Sequence, residues 1–258
     1  MRANCLWIGG SVKTSRMVKR AIDGSVGDSW CAPKSPEIPP RKKGFRMPLV
    51  DLNVPIIATK VPRDVRVFLR EANRRIERFQ VSRCVPGFVP SDFERAYRLL
   101  HLLATTDLTA GCLFCEWGSG FGVITCLAAL LGFEACGIEI DVELVEAAQQ
   151  LADDFGLSVD FVRGSFIPKA DEAYVNAGGA FSWLTTDWRD ADRELGLAAD
   201  EPNVIYAYPW PDEERVTGDL FERNTAVGTI LVTYHGGDEF RLRRRTDKKS
   251  FGRKTARS

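Results

Sequence analysis

The order of apolar and polar positions divides the chain into a stretch without period and a stretch with two periods. Residues 1–47 are dominated by Gly, Ser, Lys and Pro, as in Pro39-Pro40-Arg41-Lys42-Lys43, and show neither a helical nor a strand period. They read as a disordered extension. Met47 opens a more ordinary sequence, and translation starting there would make residues 1–46 an extension of the reading frame. From Pro62, Val65, Phe68, Leu69, Ala72, Ile76 and Phe79 recur at helical spacing, with Arg66, Arg70, Arg74, Arg75 and Arg78 on the other face. That arginine face is a solvated surface or a basic rim near a substrate entrance. Pro90 and the S-x-x-E pattern of Ser91-Asp92-Phe93-Glu94 predict the capped start of a second helix running through Tyr97, Leu99, Leu100 and Leu103.

From there short apolar runs alternate with helical segments. Strands are expected at 113–116, 135–139, 159–163, 204–208 and 228–234, and helices at 122–131, 142–155 and 212–224. Such alternation means βαβ units and a parallel sheet, an α/β Rossmann-like class. Residues 167–202 form a long mixed connection containing Tyr174, Trp183 and Trp188, the expected substrate lid. After residue 234 only 239–245 remains as a strand, so the sheet is expected to be abbreviated at its C-terminal end, to six strands. The expected organisation is an extension (1–47), a helical cover (48–110), a core (111–240) and a basic tail (241–258).

Composition changes this picture at the ends. The formal net charge is zero, yet residues 1–47 carry 10 Lys and Arg against 3 acids, and residues 241–258 carry 9 against 1. The middle is left with 16 against 31. The basic ends are solvated tails or a grip on something anionic, such as RNA. Seven scattered cysteines, mostly inside apolar runs, suit reduced thiols. Cys112 and Cys115 form a C-x-x-C with no second pair or nearby His to complete a zinc site, so no metal is expected. No run approaches the ~20 apolar residues of a membrane span, and the N-terminus lacks a signal-peptide block. Both absences point to a cytoplasmic protein without a membrane partner.

The candidate chemistry lies in Glu116-Trp117-Gly118-Ser119-Gly120-Phe121-Gly122, between a predicted strand and a predicted helix. A glycine loop there lets a ligand approach the backbone over the helix N-terminus. The dinucleotide pattern G-x-G-x-x-G is not met, because Val123 stands at its last position, and the Gly-Lys-Ser/Thr of a phosphate-binding loop is absent. The pattern acid-x-G-x-G-x-G is met throughout. On these residues the chain resembles the class I S-adenosylmethionine (SAM) methyltransferases over roughly residues 88–235. The resemblance implies SAM as cofactor. Gly118, Ser119, Gly120 and Gly122 would pass under its methionine and ribose, and Glu116 would lie near its amino group. Glu139 would hold the ribose hydroxyls, Ile140 would pack on adenine, and Asp141 would cap the next helix. Ser165 and Phe166 stand where the family has Gly-Asp beside the adenine.

In Tyr208-Pro209-Trp210-Pro211, Tyr208 and Trp210 stand where the resemblance places the methyl acceptor, with Asp92 and Tyr97 as further candidates. The pattern loosely echoes the Asp/Asn-Pro-Pro-aromatic of amino-methylating members. Phe88-Val89-Pro90-Ser91 ahead of the loop is similar to a segment of small protein-lysine methyltransferases. The two histidines, His101 and His235, fall in no recognisable catalytic arrangement. The expected activity is methyl transfer from SAM to an unidentified acceptor, an amine of a protein or small molecule being favoured. The alternatives are a non-catalytic SAM- or nucleotide-binding module and an RNA methyltransferase using its basic tails.

Overall fold

The computed structural model describes residues 49–247, apart from 55–58, 84, 86, 178–183, 186–190 and 238. The extension 1–47, the end of the basic tail, Trp183 and Trp188 therefore lie outside the described residues. The elements are β1 (Leu49–Asp51), α1 (Arg63–Ser82), α2 (Phe93–Thr105), β2 (Leu113–Trp117), α3 (Val123–Leu130), β3 (Glu134–Glu139) and α4 (Val142–Asp154). Then come β4 (Asp160–Arg163), α5 (Glu172–Ala177), α6 (Ala191–Leu195), β5 (Val204–Ala207), α7 (Glu214–Asn224), β6 (Ile230–Tyr234) and β7 (Phe240–Arg245).

The sheet has the order β1-β7-β6-β5-β2-β3-β4. Strands β2 to β6 run parallel, β7 is antiparallel to β6, and β1 is antiparallel to β7. The chain moves outward from β2 through β3 to β4, then restarts on the other side of β2 with β5 and β6. The boundary between β2 and β5 is a switch point, where the crossovers leave a crevice at the carboxyl ends of the strands.

Alternation along the strands sorts side chains onto two helical layers. Phe114, Ala135, Val204, Tyr206, Ile230 and Val232 face α1, α2, α3 and α4. Cys115, Cys136, Ile138, Ile205, Ala207 and Leu231 face α5, α6 and α7. Helix α1 buries Val65, Phe68, Leu69, Ala72 and Ile76, all on the apolar face read from the sequence. Helix α3 is buried around most of its circumference, which explains the absence of a polar face in its sequence.

Three differences from the sequence reading have clear physical causes. Residues from 113 onward supply six strands, and the seventh place is filled from the other end of the chain: Leu49–Asp51 pairs with Arg243–Arg245. The segment 48–110 is therefore a strand as well as a helical cover. Strand β7 draws residues 241–245 into the sheet, so this part of the basic stretch is not a tail. Helix α2 is capped by Asp92, whose carboxylate accepts from the Arg95 N–H, and not by Ser91. The Ser91 hydroxyl accepts instead from the Tyr206 hydroxyl at 2.9 Å.

The start of the long connection is fastened to α7. Buried Asp171 accepts from Arg223 Nε and Asn224 Nδ2, each at 2.6 Å, and the Arg223 guanidinium sits 4.8 Å from the centroid of Tyr174. The Tyr174 hydroxyl donates to Asp219.

Phe114 is fully buried in the middle of β2 and meets Phe133 with ring centroids 6.0 Å apart. Phe114→Ala is expected to destabilise the fold by about 3–5 kcal/mol in urea titration, whereas Val81→Ala, at a 90% exposed position, stays within about 0.5 kcal/mol.

Candidate functional site

A cavity of about 690 Å³ opens at the carboxyl ends of β2, β3 and β5, at the switch point of the sheet. The segment from Phe88 to Ser91 closes it on the side of α2, and Leu184 and Thr185 flank it on the side of α7.

The loop after β2 is anchored by one acceptor: the Gly118 and Ser119 N–H groups both donate to the Ile138 carbonyl at 2.9 Å. Its glycines have different reasons. Gly118 has a φ of 73°, and a Cβ placed there would meet nothing within 4 Å, so its missing side chain leaves open space. A Cβ on Gly120 would lie 2.8 Å from the Phe88 ring. A Cβ on Gly122 would lie 2.5 Å from the Phe161 ring and 2.7 Å from Ala148. Gly122 is also the left-handed residue that opens α3, and it is not part of the cavity wall. Its lack of a side chain permits packing of α3 against α4 and β4.

Glu116 and Glu139 both reach the wall from successive parallel strands and are both buried. Glu116 Oε2 accepts from the Thr125 N–H at 2.9 Å and the Thr125 hydroxyl at 2.6 Å. Burial pushes its carboxyl up to about 8; the Thr125 bonds oppose this and the Glu139 charge adds to it. Glu139 Oε2 accepts from Gly120 N–H at 2.8 Å, and Oε1 accepts from Ile140 and Asp141 N–H at 2.7 and 3.0 Å. Burial raises its pKa against the pull of those three donors. Three of roughly four lone-pair positions are thus used, and one is left.

Ile140, Ser119, Ser165 and Phe166 also line the cavity. The Ser119 hydroxyl is buried without a partner among the described residues. The Ser165 hydroxyl is already committed, donating to the Thr185 carbonyl at 2.9 Å and accepting from the Ile167 N–H at 3.0 Å. Phe166 stacks on Trp117, with centroids 5.0 Å apart and planes 7° from parallel. Asp141 caps α4 by accepting from Glu143 and Leu144 N–H, the role its position suggested.

Tyr208 and Trp210 stand together on the wall beyond β5, and Trp210 is 38% exposed. Asp92 does not line the cavity. Its carboxylate caps α2 and forms an ion pair with Arg95 at 3.3 Å, a structural role. Tyr97 is likewise core, packed near His101 with ring centroids 6.0 Å apart.

Two groups were not singled out from the sequence. His235 lines the cavity with Nδ1 2.8 Å from Glu214 Oε1 and Nε2 2.8 Å from Thr233 Oγ1. Tyr206 lines it as well, braced on Ser91. No local pattern reveals either, because the Ala207–Thr233 register and the start of α7 bring the His235 partners together.

The charge of the wall is one-sided. Glu116, Glu139, Asp141, Glu213 and Glu214 contribute carboxyl groups, and no Lys or Arg lines the cavity among the described residues. Among those residues no three His, Cys, Asp or Glu side chains are grouped to hold a metal ion. None of the described helices is long and apolar enough to cross a membrane.

No protein-family model matches the chain, and no curated protein matches it. Among solved structures it is similar to an RNA methyltransferase from Salinibacter ruber in complex with S-adenosyl-L-homocysteine, at 21% identity over 62% of this chain and 94% of that one, with a TM-score of 0.41. It is similar to a methyltransferase from Geobacter sulfurreducens at 16% identity over 73% and 93%, with a TM-score of 0.43. An O-methyltransferase from Bacillus cereus, in complex with the same ligand, aligns at 12% identity over 69% and 68%, with a TM-score of 0.42. These are partial superpositions, and the Rossmann-like class rests on the strand order of the chain itself.

The glycine geometry separates two substitutions. Gly118→Ala places a methyl group in the cavity, costs about 1–2 kcal/mol for its positive φ, and leaves the fold intact. Gly122→Ala adds to that strain an overlap with Phe161 and Ala148 worth about 1–3 kcal/mol, and is expected to unfold at clearly lower denaturant.

Proposed function

We propose that the chain is a SAM-dependent methyltransferase whose acceptor is an amine. The observation that supports this reading most is the charge of the cavity. Five carboxyl groups and no Lys or Arg around one void favour a cationic ligand and disfavour the phosphates of a dinucleotide. SAM carries a sulfonium and an ammonium group and no phosphate.

The residues present fit this cofactor. The space over Gly118 admits a ligand where a side chain would stand. Glu139, at the end of β3, keeps an acceptor position for a ribose hydroxyl, and a second hydroxyl would compete for the oxygen now held by Gly120 N–H. Glu116 lies toward the amino end, Ser119 offers an unpartnered hydroxyl, and Ile140 and Phe166 supply apolar surface for the adenine. Because its hydroxyl is already committed, Ser165 serves the adenine end through the backbone it organises around Ile167 and Thr185. When bound, SAM supplies a methyl group on sulfur that an in-line nucleophile can take.

The work left to this chain is to position that nucleophile and keep water out. Tyr208 and Trp210 bring aromatic rings to the cavity wall, a residue type suited to an organic cation. Glu213 and Glu214 add carboxyl groups at the same end, and Glu214 shares its charge with His235 at 2.8 Å and Arg241 at 3.6 Å. That combination favours an acceptor that arrives as an ammonium group. It disfavours RNA, whose phosphates the wall would repel. The arginines of β7 also have work within the fold: Arg244 Nη2 donates to the Leu108 carbonyl at 2.6 Å, and Arg241 pairs with Glu239.

Calorimetric titration of the full chain with SAM tests the first half of this reading. Binding is expected, and Glu139→Ala is expected to weaken it by about 1–3 kcal/mol, roughly a 10- to 100-fold loss. Absence of binding by the unaltered protein would remove the reading. Incubation with methyl-labelled SAM and a cell lysate tests the second half. Label is expected in base-stable N-methyl groups of protein or small molecules, and label confined to RNA would overturn the amine assignment.

A further inference from the structure

Glu116 is placed to do more than attract. Its Oε2 atom carries both bonds to Thr125, Oε1 carries none among the described residues, and the residue lines the cavity. Groups that act on it come from three elements. Thr125 and Cys126 approach from α3, Glu139 from β3, and Tyr206 from β5 with its hydroxyl turned to Ser91. None of these is a cation. A second carboxyl group, Glu139, faces the same void. Two buried acids sharing a cavity without a Lys or Arg in its wall cannot both hold full charge cheaply. Glu139 has three backbone N–H donors to stabilise its ionised form, and Glu116 has one residue, Thr125.

We infer, resting on the methyl-transfer reading above, that Glu116 holds a proton in the empty protein and releases it to solvent as its free oxygen takes the ammonium group of the cofactor. The O–H bond of Glu116 breaks, the proton goes to water, and Oε1 accepts an N–H from the ammonium. No covalent bond of the cofactor changes. Glu116 thereby discriminates by charge: a ligand without the amino group gives it no reason to ionise.

The direction of the titration agrees. Its carboxyl stands at about 8, above the ordinary 4.5, mainly through burial. The folded, empty protein therefore keeps a proton that the unfolded chain loses, and its stability falls as pH rises through that window. A bound cation reverses the balance by favouring the ionised form.

The test compares S-adenosyl-L-homocysteine, which carries the ammonium group and an uncharged sulfur, with 5′-methylthioadenosine, which keeps the adenosine and the uncharged sulfur and lacks the amino-acid part. Each is titrated into the full chain at about pH 6.5 in two buffers of different ionisation enthalpy, which counts protons released. S-adenosyl-L-homocysteine is expected to release about one proton more than methylthioadenosine, and its affinity to rise by up to tenfold per pH unit from about pH 6 to 7.5. A proton from Glu139 would appear with both ligands, since both carry the ribose, and so cancels in the difference. In Glu116→Gln the difference is expected to vanish, and the fall in Tm between about pH 5 and 9 to become smaller, the remainder including Glu139. Should that variant not fold, the proton count of the unaltered protein decides alone. Equal proton release by the two ligands would overturn the inference and leave the methyl-transfer reading standing. Failure of both ligands to bind would overturn the two together.

Discussion

Both N–H groups at the start of the loop, from Gly118 and Ser119, are spent on the single carbonyl of Ile138. That shared acceptor ties the end of β2 to the end of β3, and the site is built out from it. Once the loop is held across the sheet edge, Gly120 N–H is brought to Glu139 and Thr125 to Glu116. The two carboxyl groups are thereby held on one void. The loop also begins α3, so the helix that fills the core between α2 and the sheet is set by the same turn.

Burying acids is unfavourable, and here the cost is divided unequally. Glu139 is surrounded by backbone donors, and Glu116 relies on Thr125 alone. Further acids on the wall, and the absence of a Lys or Arg from it among the described residues, make the cavity a place that favours positive charge. The aromatic rings of Tyr208 and Trp210 extend that preference toward the open side. His235 belongs to the same end. Held between Glu214 and Thr233, it ties the turn after β6 to the start of α7 and keeps that wall in shape.

Much of this was legible in the sequence because it is local. The helical spacing of Val65, Phe68, Leu69, Ala72 and Ile76 is a property of one segment, and it became the buried face of α1. The alternation of strands and helices from residue 113 placed Glu116 and Glu139 at the ends of neighbouring parallel strands. The misreadings share the opposite character. Ser91 matched a capping box, but Tyr206, distant in sequence, claimed its hydroxyl and left the cap to Asp92. Three residues at 49–51 are too short to carry a strand period, and only the exposed edge of β7 makes them a strand. Gly122 looked like its neighbours in the loop, but its neighbours in space are Phe161 and Ala148.

What the sequence determined by itself was the class of fold, the position of the glycine loop, and the acids on either side of it. These follow from periodicity and from residue types at fixed short spacings, which act within a few turns of chain. The tertiary structure alone decided how the sheet is completed, which glycine leaves open space, and that the acids of β2, β3 and α7 share one wall without a Lys or Arg among its described residues. Those outcomes depend on strand register and on which surfaces meet across the sheet, and no stretch of sequence contains both partners.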